Sequence, residues 1–220
     1  MFFLLLKKEL FVELRSKELI LSMVVFGIAI VLSFSFSSDL SRVVVENYAS
    51  GMFWITVLFV ATLGVHRSFA YEKEFDAFSM LVIAPIDRGF FFLAKWVSGF
   101  IYLTIMEILI IFPFFKFLMI DFPANILIAI ITTLFANLAI MAVANLVSGI
   151  AMRSNLSEIL LPILFFPLVS PAIIAATKIS KGVMLNEPYP FWEIWVLILG
   201  SIIIISGLAG YALFDYLVEE

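Results

Sequence analysis

The chain has 220 residues and a formal net charge of −4, with 64% hydrophobic and 14% charged residues and a mean hydropathy of +1.19. Soluble domains carry roughly 45–50% apolar residues, so no water-soluble fold hides this much apolar surface; the chain reads as an all-α polytopic membrane protein. The small net charge argues against a nucleic-acid partner, and the lack of cysteine excludes a disulfide framework and a thiolate metal site.

In residues 2–17, Phe3, Leu6, Leu10 and Leu14 fall at helical spacing, while Lys7, Lys8, Glu9, Glu13, Arg15 and Lys17 fill much of the remaining circumference. This pattern predicts an interfacial amphipathic helix over 1–18 along the inner leaflet, or else an extension of the first span into the cytoplasm. The apolar run 2–6 is too short for a signal peptide, and no small-residue cleavage site follows it.

A crossing needs roughly 20 mainly apolar residues. Six runs qualify, at about 19–37, 49–68, 89–115, 124–152, 159–177 and 191–216, and the short connectors leave a single transmembrane domain over 1–220. Between the second and third spans, residues 69–88 form a dense polar connector. Six of the chain's thirty charged residues lie between Arg67 and Asp87, a density that a bilayer core does not hold. Residues 71–78 suggest a short helix with Glu72, Lys73, Glu74 and Asp76 on it, and with Tyr71, Phe75 and Phe78 spaced to share one side. Pro85 then breaks the chain before the third span. A plain solvated loop has no use for those interleaved aromatics, so the segment reads as a coupling element for a cytoplasmic partner. His66 and Arg67 stand at its mouth, and His66 reads as a docking residue rather than a metal or heme ligand.

Within the spans, Lys95 is near the inner end of the third and can snorkel. Glu107 is roughly 18 Å deeper and well round the helix, so the two do not pair; it is expected to face protein or a polar cavity. The fourth span carries Asn137 and Asn145 on one side, with Ala144 and Ser148 at small-xxx-small spacing, which suits core packing or a dimer seam. Pro162, Pro167 and Pro171 bend the fifth span, or make it re-entrant. Ser206 and Gly210 form a second small pair in the sixth span, and Trp192 and Trp195 suit an interfacial belt.

Lysine and arginine set the orientation. Lys7, Lys8, Arg15, Lys17, Arg67, Lys73, Arg88, Lys95 and Arg153 share the face of the termini and the coupling segment. Arg42, Lys116, Lys178 and Lys181 lie on the other. Both termini are therefore expected in the cytoplasm. No Walker-type phosphate loop, metal-ligand cluster or Ser-His arrangement is present, so the chain does not read as an enzyme and ATP enters only through a partner.

The run Phe53-Trp-Ile-Thr-Val-Leu-Phe-Val-Ala-Thr-Leu-Gly-Val-His-Arg-Ser-Phe-Ala-Tyr-Glu72, then Leu81-Val-Ile-Ala-Pro85 and Leu93-Ala-Lys95, resembles the CcmB family of heme-exporter permeases in cytochrome c maturation. The Leu161-Pro, Phe166-Pro-Leu and Ser170-Pro171 pattern is similar to that family too. The resemblance implies a six-span ABC-2 type permease, working as a homodimer in the bacterial inner membrane with two copies of a CcmA-like ATPase. It also implies CcmC-, CcmD- and CcmE-like partners, with heme as the ligand handled rather than a resident cofactor. In that family a cytoplasmic helix between spans two and three sits in a groove of the ATPase, a role that falls here on 71–78. The residues alone also allow an exporter of lipid, drug or polysaccharide, or a membrane scaffold that transports nothing.

Overall fold

Hydrocarbon offers no water to backbone N–H and C=O groups, so a single segment crosses it only as helix. The computed structural model describes residues 1–15, 17–37, 42–74, 88–151 and 157–218. They form α1 (Phe2–Arg15), α2 (Lys17–Ser37), α3 (Arg42–Glu74), α4 (Arg88–Leu118), α5 (Ile126–Ala151), α6 (Ser157–Met184) and α7 (Glu193–Val218), with a 3-10 turn at Tyr189–Phe191. Six of these, α2 to α7, are long and apolar enough to span a membrane.

Helix boundaries follow the breakers. α3 begins at Arg42 rather than at 49 and runs unbroken to Glu74, because no glycine or proline interrupts it after Gly64. The second span and the first half of the coupling segment are thus one rod of 33 residues. Phe75, Asp76 and Phe78 lie outside the described residues, as does Arg153. Likewise the proline-rich fifth run is one helix of 28 residues, long enough to cross in a single pass instead of turning back. Pro167 and Pro171 are exposed on its outward side and Pro162 is half-buried. The backbone carbonyls they leave open therefore arise largely away from the packed face.

α4 and α5 form the middle of the bundle. α4 packs on α1, α2, α3, α5 and α7, while α5 packs on α3, α4, α6 and α7. Small residues make the α5–α6 seam close: Ala136, Ala144, Ala172 and Ala176 are all buried there with Ile140, Phe165 and Val169. A second core joins Met23 and Val31 of α2 to Val60 of α3 and Met106, Ile110 and Phe114 of α4.

Two glycines of α7 bring the α4–α7 seam close. A Cβ at Gly210 would collide with the Phe92 ring, and one at Gly207 would stand 2.8 Å from Trp96. Trp96 continues through this notch to donate its indole N–H to the Leu138 carbonyl of α5 at 2.9 Å. In the turn before α7, Trp192 is only 8% exposed. Its ring lies over Gly182 and its N–H reaches the Glu187 carbonyl at 3.1 Å. It is a packed plug and not a member of an interfacial belt; Trp195 is half-buried.

Gly210→Ala therefore forces the α4–α7 seam apart, at a cost of about 1–3 kcal/mol for overpacking. A lowered thermal midpoint of the purified protein in detergent reads that cost. Gly200→Ala, whose Cβ would meet only the Phe135 ring at an ordinary 3.6 Å, is expected to leave the midpoint unchanged.

Candidate functional site

Every ionisable group carried into a low-dielectric interior needs a partner. Lys95 finds several where α1, α3 and α4 meet. Its Nζ lies 3.0 Å from Glu9 Oε2 and donates to Ser68 Oγ at 3.1 Å. It also stands 5.0 Å from the centre of the Phe69 ring and 5.9 Å from that of Phe91. Both ends of the ion pair are buried, Lys95 at 4% exposure and Glu9 at 2%. Lys8 caps the second oxygen of Glu9 at 2.8 Å, and Tyr102 of α4 donates its hydroxyl to the Leu10 carbonyl of α1 at 2.7 Å.

This arrangement corrects the sequence reading of two residues. Lys95 does not snorkel to water; it turns into the bundle to meet Glu9. Glu9 is not on a hydrated face, and Phe3 and Leu4 are instead the exposed side of α1. A signal for this existed: Phe2, Leu5, Leu6 and Val12 share a helical face with Glu9, and all are at least partly buried. A carboxylate set within an apolar stripe asks for a cation on the neighbouring element. Burial raises the Glu9 carboxyl, but the charges of Lys95 and Lys8 and their hydrogen bonds outweigh it, so it titrates below its ordinary value of 4.5.

Further along α4, Glu107 is buried at 2% exposure. Asn137 of α5 donates its amide to Glu107 Oε2, and the same nitrogen lies 3.3 Å from Thr104 Oγ1. Glu107 thus faces protein on one side, and on the other it borders a mainly apolar cavity. Its Oε1, the Asn137 Oδ1 and the Ser50 Oγ of α3 are buried with no hydrogen-bond partner. Asn145 behaves differently, returning its amide to the Met141 carbonyl of its own helix at 2.8 Å. Both asparagines are buried within the single chain, so they pack among the chain's own helices.

The coupling residues divide by position. His66 is half-buried and Arg67 exposed. Tyr71, Glu72, Lys73 and Glu74 make the last turn of α3. At the opposite end of the bundle, Arg42 pairs with Glu46 at 2.8 Å and with Asp121 in the α4–α5 connection. Among the described residues no three metal-ligating side chains gather.

Six apolar crossings, polar groups paired inside the bundle and a charged extension of one crossing define a multi-pass membrane protein. The sequence model of one family, described as CcmB protein, matches residues 1–215. The chain belongs to the CcmB family. It is similar to the heme exporter protein B of Haemophilus influenzae, with 24% identity over 187 residues, which cover 84% of this chain and 83% of that protein.

Glu9→Gln leaves the Lys95 ammonium buried without its counter-charge, a loss of about 3–5 kcal/mol for breaking a buried pair. Adding Lys95→Met removes the orphaned charge and is expected to restore much of the stability. Because the folded Glu9 value is depressed, its contribution is complete above 4.5 and is lost as pH falls below that through the lower folded value. Hydrogen exchange along residues 2–15 checks both: wild type is expected to loosen only in that acid window, and Glu9→Gln to show no such step.

Proposed function

We propose that this chain is the permease subunit of an ABC exporter that handles heme for the maturation of c-type cytochromes. The family match over residues 1–215 carries the reading, and the likeness to a protein named heme exporter protein B supports it. Hydrolysis of ATP belongs to a separate CcmA-like subunit. The working assembly pairs two copies of this chain with two ATPase subunits and engages CcmC-, CcmD- and CcmE-like proteins. It is seated in the inner membrane, with both termini and the 69–88 segment in the cytoplasm; the nine-to-four distribution of lysine and arginine supports that orientation.

Chain geometry supports a mechanical role for the coupling segment. An α-helix of 33 residues is about 50 Å long at 1.5 Å per residue, whereas the hydrocarbon core is about 30 Å thick. The charged end of α3 therefore stands clear of the lipid, and the helix runs unbroken to it from the buried face at Trp54 and Val57. Closure of an ATPase dimer against Tyr71, Glu72, Lys73, Glu74, Phe75, Asp76 and Phe78 would tilt α3 as a lever, with His66 and Arg67 at the water boundary. Lys95 holds α1 and α4 together beside the fulcrum. Pro162, Pro167 and Pro171 give α6 the places where it flexes, while Asn137 and Asn145 stay in the unmoving core.

Reversing charge at Glu72, Glu74 and Asp76 together is expected to abolish co-purification of the ATPase while the bundle keeps its thermal midpoint. Retention of the ATPase at wild-type yield would sink the lever. Holocytochrome c in a strain deleted for this chain separates heme handling from export of lipid, drug or polysaccharide: the proposal expects its loss, and its restoration by the wild-type chain.

A further inference from the structure

Four helices, α3 to α6, enclose a cavity of about 390 Å³ toward the Leu118 end of α4. Ligand pockets range over roughly 300–1,000 Å³, and one water occupies roughly 30 Å³ of the liquid, so this space admits a molecule and not merely solvent. Its walls are largely apolar, with Phe53, Phe114, Phe115 and Phe122 prominent among them. Where its lining reaches the outer surface, Ile108 of α4 and Ile126 and Ile130 of α5 are 64%, 57% and 51% exposed. Entry is therefore sideways from the bilayer.

Polar groups on two walls break the apolar lining. Glu107 of α4 and Ser50 of α3 both border the cavity, and each holds a buried oxygen without a hydrogen-bond partner. Such an atom loses its hydration and gains nothing in return. Thr104 and Thr132, also in the lining, already donate to the Phe100 and Ile128 carbonyls of their own helices. Ser180 accepts the Trp54 indole N–H at 2.8 Å. The Glu107 carboxyl is the strongest acceptor left over, and the described lysine of the same helix interior, Lys95, is engaged by Glu9.

We propose that this cavity binds a membrane amphiphile with an apolar body and a hydrogen-bond-donating head, the head engaging Glu107 and Ser50. A hydroxyl or a protonated amine supplies that donor to the Glu107 carboxylate, whereas a carboxylate or an ester has none to give it and can only accept from the Ser50 hydroxyl. Apolar contact with the four phenylalanines holds the body, and the donor sets the orientation. The site is independent of the heme reading, because it follows from the lining chemistry whatever cargo the exporter moves.

Four ten-carbon probes bearing the same mid-chain diazirine and ending in a primary amine, a hydroxyl, a carboxylate or a methyl ester test this. Each is photolysed with the full chain in lipid nanodiscs, and labelled peptides are read by mass spectrometry. The amine and hydroxyl probes are expected to label the cavity walls about tenfold more than the other two, the scale of one charge-assisted hydrogen bond. An amine stronger than the hydroxyl marks an ion pair, and equal labelling marks a neutral hydrogen bond; both support the site. Glu107→Gln is expected to erase the preference for an amine over an ester. Ile130→Trp, placed at the exposed mouth where folding is little affected, is expected to cut labelling by the donor-headed probes at the walls while leaving Glu107 in place. Equal labelling by all four heads, indifference to Ile130→Trp, or labels spread evenly over the lipid-facing surface would each overturn the proposal. Failure here leaves the cytochrome phenotype untouched, so the two readings fall separately.

Discussion

The ion pair between Lys95 and Glu9 is the constraint on which the arrangement of this bundle depends. A lone ammonium in hydrocarbon is expensive, and among the described residues Glu9 is the carboxylate that meets Lys95. Satisfying that demand fixes α1 against α4, and Tyr102 then ties the Leu10 carbonyl to the same helix. Buried pairs add little net stability when compared with apolar replacements. What this one supplies is register: α1 sits on α4 only where carboxylate and ammonium coincide. The rest of the bundle inherits that placement, because α4 touches five of the other six helices.

Much of the fold was legible in the sequence for a simple reason. Lipid removes the alternatives to helix, so hydropathy and length alone locate the six crossings, and the described residues hold six helices of that kind. Family membership was legible in the run from Phe53 to Glu72 and in the proline pattern of the fifth span. Partners were harder. Glu107 was expected to face protein or a polar cavity; Asn137 lies beside it, but the cavity it borders is mainly apolar. Glu9 was read as solvated because a helical wheel ranks residues by polarity and does not see that a cation waits on the neighbouring helix. Asn137 and Asn145 looked alike at eight residues' spacing, yet one bonds across to α4 and the other back to its own turn. One-dimensional spacing gives a face; it does not say which neighbour covers that face.

Helix continuity tells a similar story. The coupling segment looked separable from the second span because polarity changes sharply after Val65. Polarity marks where lipid ends, whereas a helix ends where a breaker intervenes, and none stands between Val65 and Glu74. One helix of 33 residues therefore carries both the apolar run and the charged turn at 71–74.

The notch formed by Gly207 and Gly210 sets where the sixth crossing rests against the third. Two aromatic rings lodged in a helix surface act as pegs that oppose axial slip. The third and sixth crossings are therefore keyed to one another in depth.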